Sequence, residues 1–212
     1  NCVGCQAFGH CYKDLPEGNT FDLYNYRKTK KIENYNNGVI SFQDIVNNNL
    51  KLSDFNRNII QSQNTNEIID SRKLNRFLSD LKYPLYYLDF ETAINMVPVV
   101  DGTVPGQQLF FQYSLHIKRD SKALLEHKEY LYGYNDIRLR EITESLINSL
   151  GSSGSVVVYN QKFEKMIIKD LIRMFPEYET RLNCILNRIV DLMIPFEKGY
   201  YYLKQFGNSV SI

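Results

Sequence analysis

A chain of 212 residues can hold one medium domain plus a smaller piece, or two small domains. Its 43% hydrophobic and 23% charged content is that of a globular protein. No run approaches the roughly 20 apolar residues of a membrane-spanning helix, and the N-terminus lacks the apolar segment of a signal peptide. A formal net charge of +1 excludes a globally basic nucleic-acid binder, so a polyanion would have to meet a local patch.

Residues 1 to 40 are polar and irregular, with turn residues in LPEGNTFDLYNY and ENYNNG. A short basic run, RKTKK at 27 to 31, reads as a solvated charge run that could also contact phosphates. Ser41 and Asp44 form a capping-box-like helix start in SFQDIVNN. Residues 52 to 62 and 68 to 81 have helical spacing, with Leu74, Phe77 and Leu81 on one stripe. The first 82 residues therefore read as a cysteine-bearing segment and helical linker.

After Pro84 the character changes. LYYLDFETA reads as a strand, MVPVVDGTVPG as a long loop, and QLFFQYSLHI as a second strand. In that second strand Phe111, Tyr113 and Leu115 alternate against Gln112, Ser114 and His116. LEHKEYLYG is a third strand. DIRLREITESLINSLG is an amphipathic helix with Asp136 as N-cap and Gly151 just past its end. SVVVYN is a short strand of the type buried on both faces. QKFEKMIIKDLIRMF is a helix whose apolar face carries Phe163, Met166, Ile167, Leu171 and Met174. ETRLNCILN is helical and RIVDLM is a strand. Three strands with short links predict an antiparallel meander, and strands joined through helices predict parallel crossovers. The expected architecture is an α/β mixed sheet with helices on both faces.

Within LDFET, strand alternation puts Asp89 and Glu91 on one face, away from Leu88 and Phe90. Two adjacent carboxylates repel unless a cation lies between them, and Mg²⁺ or Mn²⁺ prefers oxygen ligands. An arbitrary D-x-E is more often a solvated strand face or a loop cap. Asn160, at the strand-to-helix switch, and Glu164, in the first helical turn, lie where α/β sheets gather ligands. Glu164 is also explained as an acid favoured by a helix N-terminus, and is expected opposite the face led by Phe163. Asp191 ends an apolar strand, where a cap is the plain alternative.

These segments resemble a known family. LDFET is similar to the first motif of DnaQ-like (DEDD) 3′–5′ exonucleases, which have a ribonuclease-H-like fold. YNQKFEK resembles their second motif, N-x-x-F-D, with Glu in place of Asp, and VDLM resembles the DTL on the next strand, a position usually not a ligand. YPLYYLDFET, QQLFFQYSLHI, GSVVVYNQKFEK and RIVDLMIPF together look like domain-of-unknown-function family 2779, bacterial proteins predicted to be nucleases. The resemblance covers about residues 83 to 212. It implies a ribonuclease-H-like nuclease domain over that range, with Asp89, Glu91 and Glu164 as catalytic and metal-ligating carboxylates. Thr92 and Asn160 are implied as substrate-binding. The cofactor would be Mg²⁺ or Mn²⁺ in a two-metal site, and the partner nucleic acid, DNA or RNA. The final Y-x-x-x-D or H-x-x-x-x-D motif is not found before Ile212, so the domain is expected to be C-terminally incomplete or its site incomplete. The other reading is a nucleic-acid-binding or scaffold module without catalysis.

Cys2, Cys5 and Cys11 form C-x2-C-x5-C, with His10 beside the third thiol. That spacing suits an iron–sulfur cluster or Zn²⁺, or leaves three idle reduced thiols. It resembles the end of a RecB-like iron–sulfur nuclease domain, which implies a further N-terminal nuclease domain in a longer chain; the start at Asn1 rather than Met also suggests a fragment. Three thiols crowded at one end are not a disulfide framework, so the expected compartment is reducing and cytoplasmic. Cys184 reads as a buried free thiol. His116 and His127 could reach the carboxylates but read better as packed or solvated. Tyr86, Tyr87, Tyr113, Tyr159 and Tyr200 to Tyr202 could stack on bases, though core roles are the plainer account.

Overall fold

The structure is a computed structural model that describes residues 5–65, 67–133 and 138–203. The described residues fall into two compact units, one drawn from Asn1–Arg76 with Ile194–Ile212, the other Phe77–Met193. The chain thus divides twice, near 76 and near 193, where the sequence suggests one boundary near 82.

The first unit begins with α1 (Phe8–Cys11), α2 (Lys28–Asn36), α3 (Phe42–Asn47) and α4 (Asp54–Gln61). The capping box at α3 is present: Ser41 Oγ accepts from the Asp44 N–H at 3.1 Å, and Asp44 accepts from the Ser41 N–H at 2.8 Å. Such a cap stabilises a helix start by about 1 kcal/mol. Residues expected to open a helix at 68 instead form β1 (Glu67–Ile69), which pairs antiparallel with β7 (Tyr201–Leu203). The helix, α5 (Ser71–Ser79), starts after Asp70, whose carboxylate caps the Lys73 N–H at 3.1 Å. The pairing partner of β1 lies more than 130 residues away in the chain, which local spacing cannot reveal. Tyr202 joins Leu23, Phe42, Ile45, Phe55 and Ile59 in a small core.

The second unit is a mixed α/β fold around a five-stranded sheet. Its strands are β2 (Leu85–Ile94), β3 (Gln108–Lys118), β4 (Leu125–Leu131), β5 (Ser155–Val158) and β6 (Ile189–Asp191), in spatial order β4-β3-β2-β5-β6. The pairs β4/β3 and β3/β2 are antiparallel, while β2/β5 and β5/β6 are parallel. Helices α6 (Leu139–Leu150), α7 (Gln161–Met174) and α8 (Glu179–Leu186) make the crossovers, and the short α9 (Met193–Glu197) follows β6. The expected N-cap, Asp136, lies outside the described residues. Gly151, with φ of 53°, ends α6 as expected.

Alternation decides which face is covered. Tyr86, Leu88 and Phe90 of β2, Tyr113, Leu115 and Ile117 of β3, and Val156 and Val158 of β5 share one core with buried residues of α6, α7 and α8. The three helices therefore cover one sheet face, and the expectation of helices on both faces is corrected for α6 to α8. Their apolar stripes are each complementary to the same row of inward strand residues, so one layer suffices to bury them.

Candidate carboxylate site

The opposite face of β2 carries Tyr87, Asp89 and Glu91, all exposed. Cross-strand register sets Asp89 against Ser114 and Glu91 against Gln112 on β3. The pairing shifts by one residue between Glu91 and Thr92, a β-bulge of the kind that re-aims a strand's end. Past the bulge, Thr92 Oγ1 accepts from Gln108 Nε2 at 2.6 Å, so this expected substrate-binding hydroxyl is engaged in tying the hairpin together.

Glu164 differs from expectation. The buried stripe of α7 is Glu164, Ile167, Ile168 and Leu171, at i, i+3, i+4 and i+7, with Phe163 half-buried and Met166 exposed. Glu164 thus heads the buried face rather than opposing it. The Phe163 stripe also fits helical spacing, and a carboxylate would ordinarily be assigned to solvent, so periodicity favoured the wrong rotation. Glu164 is 2% exposed, and its Oε2 has no hydrogen-bond partner among the described residues. Burial, with the nearby Asp89 charge adding, pushes its acid up to about 8. It therefore carries a proton at neutral pH.

The structure brings Asp89 close enough for its charge to act on Glu164. Among the described residues, no three His, Cys, Asp or Glu side chains form a group that could hold a metal ion, so Glu91 does not complete a three-ligand cluster with this pair. Two protein carboxylates still fit Mg²⁺, which commonly keeps several waters and takes further oxygens from a substrate phosphate. Once deprotonated, the orphaned Glu164 oxygen and the neighbouring Asp89 carboxylate would make a donor set that such a cation could satisfy.

Asn160 sits in the left-handed region, φ 71° and ψ 66°, and its side chain makes no cap bond. Asp191 is buried and its oxygens accept three backbone N–H groups, from Asn160, Gln161 and Met193. It is a cap, the plainer of its two sequence readings. His116 and His127, paired across β3 and β4, stack with ring centroids 4.4 Å apart. His127 Nε2 lies 3.2 Å from Ser114 Oγ, and Ser114 is the residue opposite Asp89. No local sequence signal sets Ser114 opposite Asp89 or His127 beside Ser114; that depends on strand register.

The remaining candidates lie elsewhere. Cys5 and Cys11 are exposed free thiols, Cys2 is outside the described residues, and Cys184 is a half-buried free thiol. Tyr86, Tyr113 and Tyr202 are core residues. An open cleft of about 730 Å³ lies at the far end of α7, between loop residues such as Asp101 and Gln107 on one side and Asp170, Arg173 and the C-cap residue Phe175 on the other. It includes none of Asp89, Glu91 and Glu164. No helix among the described residues is long and apolar enough to cross a membrane.

The fold and site together define a mixed α/β unit with a buried carboxyl set against an open, carboxylate-bearing strand. The chain belongs to the family described as Domain of unknown function (DUF2779), whose profile matches residues 86–211. It is similar to Uncharacterized protein MG366 of Mycoplasma genitalium, 26% identical over 144 residues, 62% of this chain and 21% of that protein. It is also similar to the Uncharacterized protein MG366 homolog of Mycoplasma pneumoniae, 28% identical over 120 residues, 53% of this chain and 18% of that protein. The chain thus matches about a fifth of the length of these curated relatives. No solved structure matches it.

Proposed function

We propose that this chain carries a divalent-cation-dependent phosphodiesterase site acting on nucleic acid, a 3′–5′ exonuclease of the DnaQ-like kind. The observation that carries the reading is the buried, unpartnered Glu164 oxygen beside Asp89. A carboxyl is not kept in such a place without either a cost to stability or a ligand that repays it. Mg²⁺ or Mn²⁺ is the ligand class that pairs with two carboxylates, and when bound it would polarise a phosphodiester and activate a water. Asp89 and Glu164 would hold the cation, Glu164 giving up its proton to do so. Glu91, exposed two residues along the same strand, would receive a second cation or the water's proton as substrate enters. The β4-β3-β2-β5-β6 order, with the D-x-E on the central strand, supports the ribonuclease-H-like resemblance.

One observation favours the second reading, a nucleic-acid-binding or scaffold module without catalysis: no third ligating side chain joins the pair among the described residues. The test is digestion of end-labelled single-stranded DNA and RNA in Mn²⁺, beside Asp89→Asn. Stepwise shortening abolished by the substitution supports the nuclease. Binding without cleavage supports the module, and neither binding nor cleavage removes both. A cysteine-bound iron–sulfur cluster or Zn²⁺ at Cys2, Cys5 and Cys11, and an additional N-terminal nuclease domain, remain part of the proposal and are tested by metal analysis of the longer protein.

A further inference from the structure

The first N–H groups of a helix have no acceptor within it, and the usual solution is the N-cap side chain. At α7 that solution is missing, because left-handed Asn160 makes no side-chain cap. The acceptor comes from the neighbouring strand instead. Asp191 Oδ1 accepts from the Asn160 N–H at 2.9 Å and the Met193 N–H at 3.0 Å, and Oδ2 accepts from the Gln161 N–H at 2.9 Å. Successive N–H groups across a left-handed residue form an anion-binding concavity, here at the positive end of a helix. In α/β sheets this is where a ligand phosphate commonly lies.

We infer that Asp191 is a positioning residue that fills this concavity with the chain's own carboxylate, closing it to phosphate and locking the turn that aims Glu164 at Asp89. Glu164 stands four residues beyond Asn160, so a change of one residue in helix phase would swing it about 100° away from β2. Asp191 itself bonds only backbone groups among the described residues. The consequence for the carboxylate pair rests on the reading proposed above; the lock on the turn does not.

The experiment compares the parent with Asp191→Ser and Asp191→Asn by thermal unfolding, with and without inorganic phosphate, and by Mn²⁺ binding calorimetry. Asp191→Ser empties the concavity and should unfold at a lower temperature, and phosphate should raise its Tm while leaving the parent's unchanged. Asp191→Asn keeps one acceptor oxygen but turns an amide donor toward an N–H, so it should lose less Tm and still weaken Mn²⁺ binding by about 10-fold. Equal phosphate effects on parent and Asp191→Ser would overturn the filled concavity. Should Asp191→Ser not fold, an Asp191→Asn protein with parental Tm and Mn²⁺ affinity overturns the inference, and a loss of both upholds it. A parent that binds no Mn²⁺ sinks the metal reading alone, and the phosphate comparison then still decides the lock.

Discussion

Asp89 on the open face of β2 lies close enough to Glu164 in the first turn of α7 for its negative charge to help hold the Glu164 proton in place. One carboxyl is exposed and the other is 2% exposed, so the pair spans the boundary between solvent and core. Burial is the larger cause of the raised acid and the Asp89 charge the smaller.

Stability should therefore depend on pH in a definite direction. Glu164 ionises near 4.5 in the unfolded chain and at about 8 when folded. Between those values the folded state holds more protons, so stability falls as pH rises and levels off above about 8. The full loss across that window is roughly 5 kcal/mol, since each tenfold change in proton affinity corresponds to about 1.4 kcal/mol. Glu164→Gln should flatten this part of the profile. Urea midpoints of parent and variant at pH 5 and pH 8, without divalent ions, check it; equal slopes would refute it.

Cation binding should release a proton. At pH 7 Glu164 is mainly protonated, and a divalent ion beside it favours the carboxylate. Mn²⁺ titrations in buffers of different ionisation enthalpy should reveal close to one proton released, and Glu164→Gln should abolish it. Asp89→Asn should weaken binding by about 10-fold or more while moving the pH profile of stability to lower pH, because the like charge is gone.

Gly154 should not tolerate a side chain. Its φ is 85°, and a Cβ there would lie 2.1 Å from the Pro84 carbonyl oxygen and 2.8 Å from the Pro84 nitrogen. Both are backbone atoms, so relief requires moving the start of β2. Gly154→Ala should cost roughly 2–4 kcal/mol. A denaturation midpoint within error of the parent would disprove the close approach.

Arg188 closes the opposite end of the sheet from the carboxylates by gathering carbonyls. Its guanidinium donates to Leu150 at 3.2 Å, Gly151 at 2.9 Å, Gly154 at 3.4 Å, and Cys184 at 3.3 Å, and also to Ser153. These include acceptors left unpaired at the end of α6. Arg188→Met keeps the aliphatic stem and should lose roughly 2–3 kcal/mol. Chemical denaturation at high and low salt checks it, and a small loss that disappears in salt would mark Arg188 as an ordinary surface charge.

Much of this arrangement was legible in the chain itself. Alternation in LYYLDFETA placed Leu88 and Phe90 inward and both acids outward, as observed. The four residues of β5 are all buried, as an unbroken apolar run requires. The meander followed by parallel crossovers also follows from connection length. These features depend on the period of a strand and the reach of a loop, which are local. The rotation of α7, the pairing of β1 with β7, the gathering of three helices on one face, and the meeting of Ser114 with His127 depend on contacts between residues far apart in the chain. Local spacing admits two apolar stripes on α7, and only packing against β2 and β5 selects the one headed by Glu164. Sequence by itself thus determined which acids were available and on which strand face they stood. The tertiary structure decided which of them lost water, because desolvation is a property of everything that packs around a group and not of the residues beside it in the chain.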